Sequence, residues 1–295
     1  MSALTTPTTV EFPALLQAAD SAAATSQALF LRLKKLELAS LCFGAASGIV
    51  PESWAGGFGP AVSVVAFLLV MLLQVSRAGE RAESRWYDAR ATAESIKSAS
   101  WQYAVGGEAY RLSTPDATER FAARMADVMA TVPDLNLTPA EPHLTPTVTP
   151  GMAAVRSLPQ AQRAQLYRRL RVEDQLAWYH SKAIWNRQRS MILTGVTIAV
   201  EAVAVLAGLL RFKLEATPDV LGVLAAVAAG LIAWGQAKKY AFLAQSYAVT
   251  THELTLVGAS LVSPADEAAW AQSVHDAEAA FSREHTMWQA RRQAP

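Results

Sequence analysis

A run of 20 residues with a single charge, MILTGVTIAVEAVAVLAGLL from Met191 to Leu210, constrains this chain more than any other feature. At about 1.5 Å of rise per residue, a helix of that length crosses the roughly 30 Å hydrocarbon core of a bilayer. Three shorter apolar stretches accompany it: LELASLCFGAASGIV (36–50), AVSVVAFLLVMLLQV (61–75) and VLGVLAAVAAGLIAWG (220–235). The first of these is the weakest, with 15 residues and Glu37 near its start. Runs this short also suit core helices of a water-soluble bundle, so composition has to weigh in. The chain is 52% hydrophobic and only 17% charged, against about a quarter charged in ordinary soluble domains. That is too little charge to coat a compact surface that faces water everywhere.

The positions of the cations sort the four segments into two hairpins. Arg32, Lys34 and Lys35 precede the first segment and Arg77, Arg81 and Arg85 follow the second, while PESWAGGFGP between them holds no Lys or Arg. Lys182, Arg187 and Arg189 precede the third segment and Lys238 and Lys239 follow the fourth; the intervening RFKLEATPD has two basic and two acidic residues. By the positive-inside rule both hairpins point the same way, with both termini cytoplasmic. The fold class expected is all-α: an integral, multi-pass membrane protein of two transmembrane hairpins, four spans in all, with cytoplasmic helical extensions.

Helices in lipid associate by close backbone approach, which small residues permit. Gly44 and Gly48, preceded by Ser40, and Gly222, Ala226 and Gly230 recur at intervals of four, making them candidate helix–helix contacts. Glu201, near the middle of the third segment, would cost about 2.5–3.5 kcal/mol facing lipid as an anion. It must face protein or water, either protonated between helices or lining a cation pathway formed by several copies. Gln74 and Gln236 read as interfacial anchors.

Outside these segments the chain carries polar helices. In RWYDARATAESIKSASWQY, the residues Trp86, Arg90, Glu94, Lys97 and Trp101 fall 4, 4, 3 and 4 apart, one stripe in which Glu94 can pair with two cations. Prolines 115 and 264 follow Ser or Thr and predict helix starts at Ser113–Pro115 and Ser263–Pro264. Trp270, Val274, Ala277, Phe281 and Trp288 form a bundle or coiled-coil seam. Residues 131–160 contain prolines 133, 139, 142, 146, 150 and 159 and read as an extended linker. The sequon Asn136-Leu137-Thr138 lies in it and reads as chance for a cytoplasmic segment.

No catalytic signature is present: no P-loop, GxGxxG, HExxH or nucleophile elbow. The five histidines show no ligand spacing, so no metal is expected, and no cofactor. Cys42 is the single cysteine, which excludes a disulfide framework, and it reads as packing. The net charge of +1 gives no reason to expect nucleic acid. The start, MSALTTPTTVEFP, lacks the basic and apolar regions of a cleaved signal peptide.

Each half repeats one order: basic polar helix, apolar segment, short loop, apolar segment, helix rich in aromatic and basic residues. The stretch WYDARATAESIKSASWQY after a two-helix hairpin resembles the SLATT family, the SMODS and SLOG-associating two-transmembrane effector domains. YRRLRVEDQLAWYHSKAIWN, with Tyr167, Arg171, Gln175, Trp178, Tyr179 and Lys182, resembles the leading helix of another SLATT subtype. The expected organisation is two tandem units, 11–130 and 161–295, joined by the 131–160 linker. The resemblance implies a non-enzymatic effector of the bacterial inner membrane, homo-oligomeric and breaching the bilayer in an antiphage system. It also implies a sensor or nucleotidyltransferase partner, or a cyclic nucleotide signal. The stripe from Trp86 to Trp101 would then hold its helix against a partner helix or subunit. A non-conducting scaffold that recruits cytoplasmic partners is the alternative.

Overall fold

Alanine-rich apolar runs with few internal prolines leave the α-helix as the backbone that satisfies its own polar groups, inside lipid or out of it. The computed structural model describes residues 9–50, 58–132, 135, 146–211, 220–261 and 266–293, of which 211, 260 and 283–293 by backbone alone. Among these residues every regular element is helical. In order they are α1 (Ala14–Ser47), α2 (Phe58–Val75), α3 (Ala78–Val105), a 3-10 turn (Glu108–Tyr110), α4 (Ala117–Ala130), α5 (Pro150–Arg156), α6 (Gln160–Tyr167), a π-helical turn (Arg168–Glu173), α7 (Asp174–Arg211), α8 (Val220–Lys238), α9 (Tyr240–Ser260) and α10 (Glu267–Gln293). The apolar-to-apolar connections 51–57 and 212–219, the sequon at 136–138, the Ser263–Pro264 start and the Trp288 side chain lie outside the described residues.

The helices gather into two compact units. One comprises Met1–Thr25, Arg85–Ala183 and Gln245–Pro295; the other comprises Ser26–Ser84 and Ile184–Ala244. Each unit therefore takes chain from both halves of the repeated plan, a division different from the tandem boundaries read from the sequence.

The second unit holds the apolar segments. Three helical stretches among the described residues are long and apolar enough to cross a membrane: Phe58–Val75, Gln160–Leu210 and Val220–Ala259. Only 6–17% of each apolar window is buried in the protein, so their outer faces need a solvent other than water. The expected fourth span, 36–50, is not among them. Its helix ends at Ser47 with Lys34, Lys35 and Glu37 directly at its start, leaving about 18 Å of apolar helix.

Close approaches hold this unit together, as lipid-borne helices require. A Cβ at Gly44 of α1 would stand 3.2 Å from Ala66 Cβ of α2, and one at Gly48 would stand 3.5 Å from Ser63 Oγ. Ser63 Oγ donates to the Gly44 carbonyl at 2.8 Å and lies 3.0 Å from Ser47 Oγ. Cys42 of α1 sits against α8, its Sγ 3.7 Å from the Ala226 carbonyl and 3.2 Å from the place a Gly230 Cβ would take. Gly222 is exposed. At the other end Gln74 donates to Glu37, which also pairs with Lys34.

The two-copy plan shows in the backbone. The second helix of each hairpin stops at a basic residue in the left-handed region, Arg77 (φ 50°) after α2 and Lys239 (φ 53°) after α8. A side chain there costs about 1–2 kcal/mol, and the next helix starts at once in both places. The Lys239 amide donates to the Gly235 carbonyl, closing the helix end. Lys239 also pairs with Glu83.

The first unit is a polar-surfaced bundle with a conventional core built from Ile96, Val105, Phe121, Met152, Leu166, Tyr167, Leu254 and Trp270. The seam of the last helix is part of it: Trp270, Val274 and Ala277 are fully buried and Phe281 nearly so. Two expectations need correction. The proline-rich stretch ends in helix α5, because Thr149 caps it by accepting from the Met152 amide and Pro150 takes the first helical position, where a missing N–H costs nothing. Thr149 Oγ1 also donates to the Glu11 carbonyl, fastening this helix to the start of the chain. Helix α4 starts after Asp116 instead of at Ser113–Pro115, and α10 is capped by Asp266, whose Oδ1 accepts from the Ala269 amide.

Candidate functional site

Two constellations carry the chemistry-bearing residues, one in each unit. In the helical body, the stripe on α3 meets the stripe on α6 and the start of α7. Arg90 lies 5.8 Å over the Trp178 ring, and Trp101 meets Tyr167 edge-on at 5.7 Å. Arg90 and Glu94 form a long pair at 3.9 Å, Trp86 stacks on Tyr87 at 4.6 Å, and Lys97 is half-buried. Trp101 is buried, packed against Phe12 as well as Tyr167, so this end of the stripe is core and not a solvated face. Tyr179 is buried between Trp178 and Tyr247. Gln175 donates to Asp174, and Lys182 lies exposed 5.9 Å from the Trp178 ring.

Below these aromatics lies a buried charge cluster. The π-helical turn carries Arg171 to Glu278 of α10: Nε donates to Oε1 at 3.0 Å and Nη2 to Oε2 at 2.8 Å, a two-pronged pair with both side chains 1% exposed. The Tyr167 hydroxyl donates to the same Oε1 at 2.8 Å, and the guanidinium stacks 4.3 Å from the Phe281 ring. Nη1 finds no hydrogen-bond partner among the described residues. Burial works against the Arg171 charge, but Glu278 outweighs it and holds the group protonated. Burial, and then the Glu278 charge, push the Tyr167 phenol well above its ordinary range, so it stays a donor.

Two arginines further along the chain close the end of α3. Gly106 (φ 76°) ends α3, and the Gly107 amide donates back to the Gln102 carbonyl. Arg156 donates to the carbonyl of Tyr103 near the end of α3 and to those of Tyr110 and Arg111 in the turn that follows, while Arg163 and Trp270 Nε1 both donate to that of Val105. Arg163, fully buried, also pairs with Glu267. Cations at a helix C-terminus complement its dipole.

The second constellation lies in the apolar unit. On α7 the residues Ser190, Thr194, Thr197 and Glu201 fall 4, 3 and 4 apart, a polar line on an otherwise apolar helix. They line an open groove of about 600 Å³, closed on the other side by Leu231, Ile232, Gly235 and Gln236 of α8. Thr197 is buried and satisfies itself by donating to the Leu193 carbonyl; Glu201 is exposed. Gly235 keeps the groove narrow at one end, where a Cβ would stand 2.9 Å from Leu193.

Sequence reasoning identified Arg171, Tyr167 and Glu201 but missed Glu278, Arg156, Arg163 and the hydroxyl line. Glu278 lies four residues after Val274, on the seam itself, and a carboxylate in a buried stripe was the available signal. No group of acidic, His or Cys residues able to hold a metal occurs among the described residues.

Comparison with known families gives two matches that together span most of the chain. The description SMODS and SLOG-associating 2TM effector domain 3 fits residues 13–164, and SMODS and SLOG-associating 2TM effector domain 1 fits residues 167–288. No curated protein and no solved structure matches.

Proposed function

The chain belongs to the SLATT family and carries two tandem SLATT domains of different subtypes, two-transmembrane effector domains associated with conflict systems; from that premise we propose that it assembles in the bacterial inner membrane and breaches it on a signal. The observation that carries this reading is Glu201. It sits about 15 Å along the helix from Met191, near the middle of the hydrocarbon, and its carboxylate is exposed on the single chain. A lone chain would leave that group facing lipid at a cost of about 2.5–3.5 kcal/mol. Several copies that turn the Ser190–Glu201 line inward would place it in water and give the path a negative ring.

In this reading all four apolar segments cross, the short 36–50 segment doing so as the partner of α2 and α8. Both termini and the helical body are cytoplasmic, as the cation distribution argues. The body would receive the signal, from a sensor or nucleotidyltransferase partner or from a cyclic nucleotide. The stripe from Trp86 to Trp101 serves there to join the two halves, its partner being the Tyr167–Lys182 face of the same chain.

Purified protein in liposomes should release potassium, and Glu201→Gln should shift the cation-over-anion preference measured by reversal potential toward unity. Unchanged preference in a conducting variant removes the carboxylate ring. No flux under any tested nucleotide or partner would leave the non-conducting scaffold as the better reading.

A further inference from the structure

At the end of the apolar unit opposite the hairpin tips, two lysines from distant parts of the chain meet over one ring. Lys35 of α1 places Nζ 5.6 Å from the centroid of Trp234 of α8, and Lys238, one turn on from that tryptophan, places its own Nζ at 5.7 Å. Lys238 also lies 5.8 Å from the Tyr240 ring. Such contacts orient an ammonium group without neutralising it. Neither amine forms an ion pair among the described residues, and the acids near this end are taken: Glu37 by Lys34 and Gln74, Glu83 by Lys239. Two positive charges are thus held together, unopposed.

An anion between them would relieve that repulsion, and its surroundings say which kind. Trp234 stands in the last turn of a 19-residue apolar helix, the level where tryptophan rings sit among lipid headgroups. Leu36, next to Lys35, and Ile232, two residues before Trp234, are exposed apolar side chains. A pair of cations where apolar helices end, with apolar surface beside it, fits an amphiphile with a phosphate head. We propose that Lys35 and Lys238, set on Trp234, bind the phosphate of an anionic phospholipid headgroup. The site requires only that this unit is embedded in a membrane, and it stands whether or not the protein conducts.

The test is a titration of the full-length protein in neutral detergent with short-chain phosphatidylglycerol, read by the rise in Tm, with phosphatidylcholine and inorganic phosphate as parallel arms. Wild type should be stabilised by phosphatidylglycerol well beyond phosphatidylcholine. Lys35→Gln with Lys238→Gln should weaken the apparent affinity about 30-fold, the equivalent of about 1 kcal/mol for each basic residue near an anionic surface. Lys34→Gln with Lys239→Gln, which removes the same charge from the paired lysines, should leave it within about threefold. Equal Tm of the Lys35/Lys238 variant and wild type in phosphatidylcholine establishes that the variant is folded; if it is not, Lys35→Arg with Lys238→Arg, which keeps both charges, should bind like wild type. Equal loss in both Gln pairs, or no loss in either, overturns the site. Protection by inorganic phosphate as strong as by phosphatidylglycerol assigns it to free phosphate and overturns the lipid.

Discussion

Glu278→Ala should destabilise the helical body by about 3–5 kcal/mol, the cost of stripping the partner from a buried cation. Arg171 is 1% exposed and donates both of its side-chain hydrogen bonds to that one carboxylate, while its Nη1 already goes without a partner among the described residues. The Tyr167 hydroxyl loses its acceptor in the same variant. Measured by thermal melting of the protein in detergent, the loss corresponds to a drop in Tm of about 10 °C or more for a body of this size. The pair also permits a sharper measurement. Arg171→Met combined with Glu278→Leu removes both charges and fills the space, and should return most of the lost stability, because two desolvated charges contribute little net energy compared with apolar packing. A double variant as unstable as Glu278→Ala alone would mean that the geometry of the π-helical turn, and not the charge, is what Glu278 maintains.

Trp270→Ala should cost a similar amount, about 3–5 kcal/mol, through lost packing. Its ring is fully buried, meets Tyr167 edge-on at 5.9 Å, and donates from Nε1 to the Val105 carbonyl at 2.8 Å. That carbonyl belongs to the end of α3, in the first half of the chain, so the substitution loosens the junction between the two tandem copies as well as leaving a cavity. Trp270→Phe, which keeps most of the volume and loses the N–H, should cost about 1–2 kcal/mol. If the two variants are equally unstable on thermal melting, the hydrogen bond to Val105 dominates and the cavity term is small.

Some of this architecture was legible in the residues and some was not. The all-helical class and the three long apolar helices were, because runs of apolar residues are local signals that need no knowledge of what packs where. The buried seam from Trp270 to Phe281 was legible for the same reason, as a 3.6-residue periodicity. What failed were readings that treated a residue by its average habit. Pro150 was read as a breaker, whereas the first position of a helix suits it, and Thr149 before it supplies the cap.

The merger of the two halves was out of reach for a different reason. Trp270 and Val105 are 165 positions apart, and Arg163 and Glu267 are 104 apart. Nothing in the spacing of either residue names its partner. The open end of α3 in the first copy is answered in part by Trp270 of the second. A sequence reader can see that a buried stripe contains a carboxylate, and can expect a cation to answer it, but only the tertiary structure selects Arg171 from 26 basic residues. The same holds for Glu201, whose position at mid-helix and line of hydroxyls were plain in the spacing while the groove beside it depends on how α7 and α8 pack.

The account rests on two hairpins crossing the membrane with the helical body on the cytoplasmic side, and thiol labelling measures that directly. In a Cys42→Ser background, a cysteine at Ser53 should react with a membrane-impermeant maleimide added to spheroplasts, and a cysteine at Arg120 should react only in inverted vesicles. Labelling of the Ser53 site solely in inverted vesicles would mean that 36–50 does not cross, and labelling of both sites in the soluble fraction would contradict the membrane reading altogether.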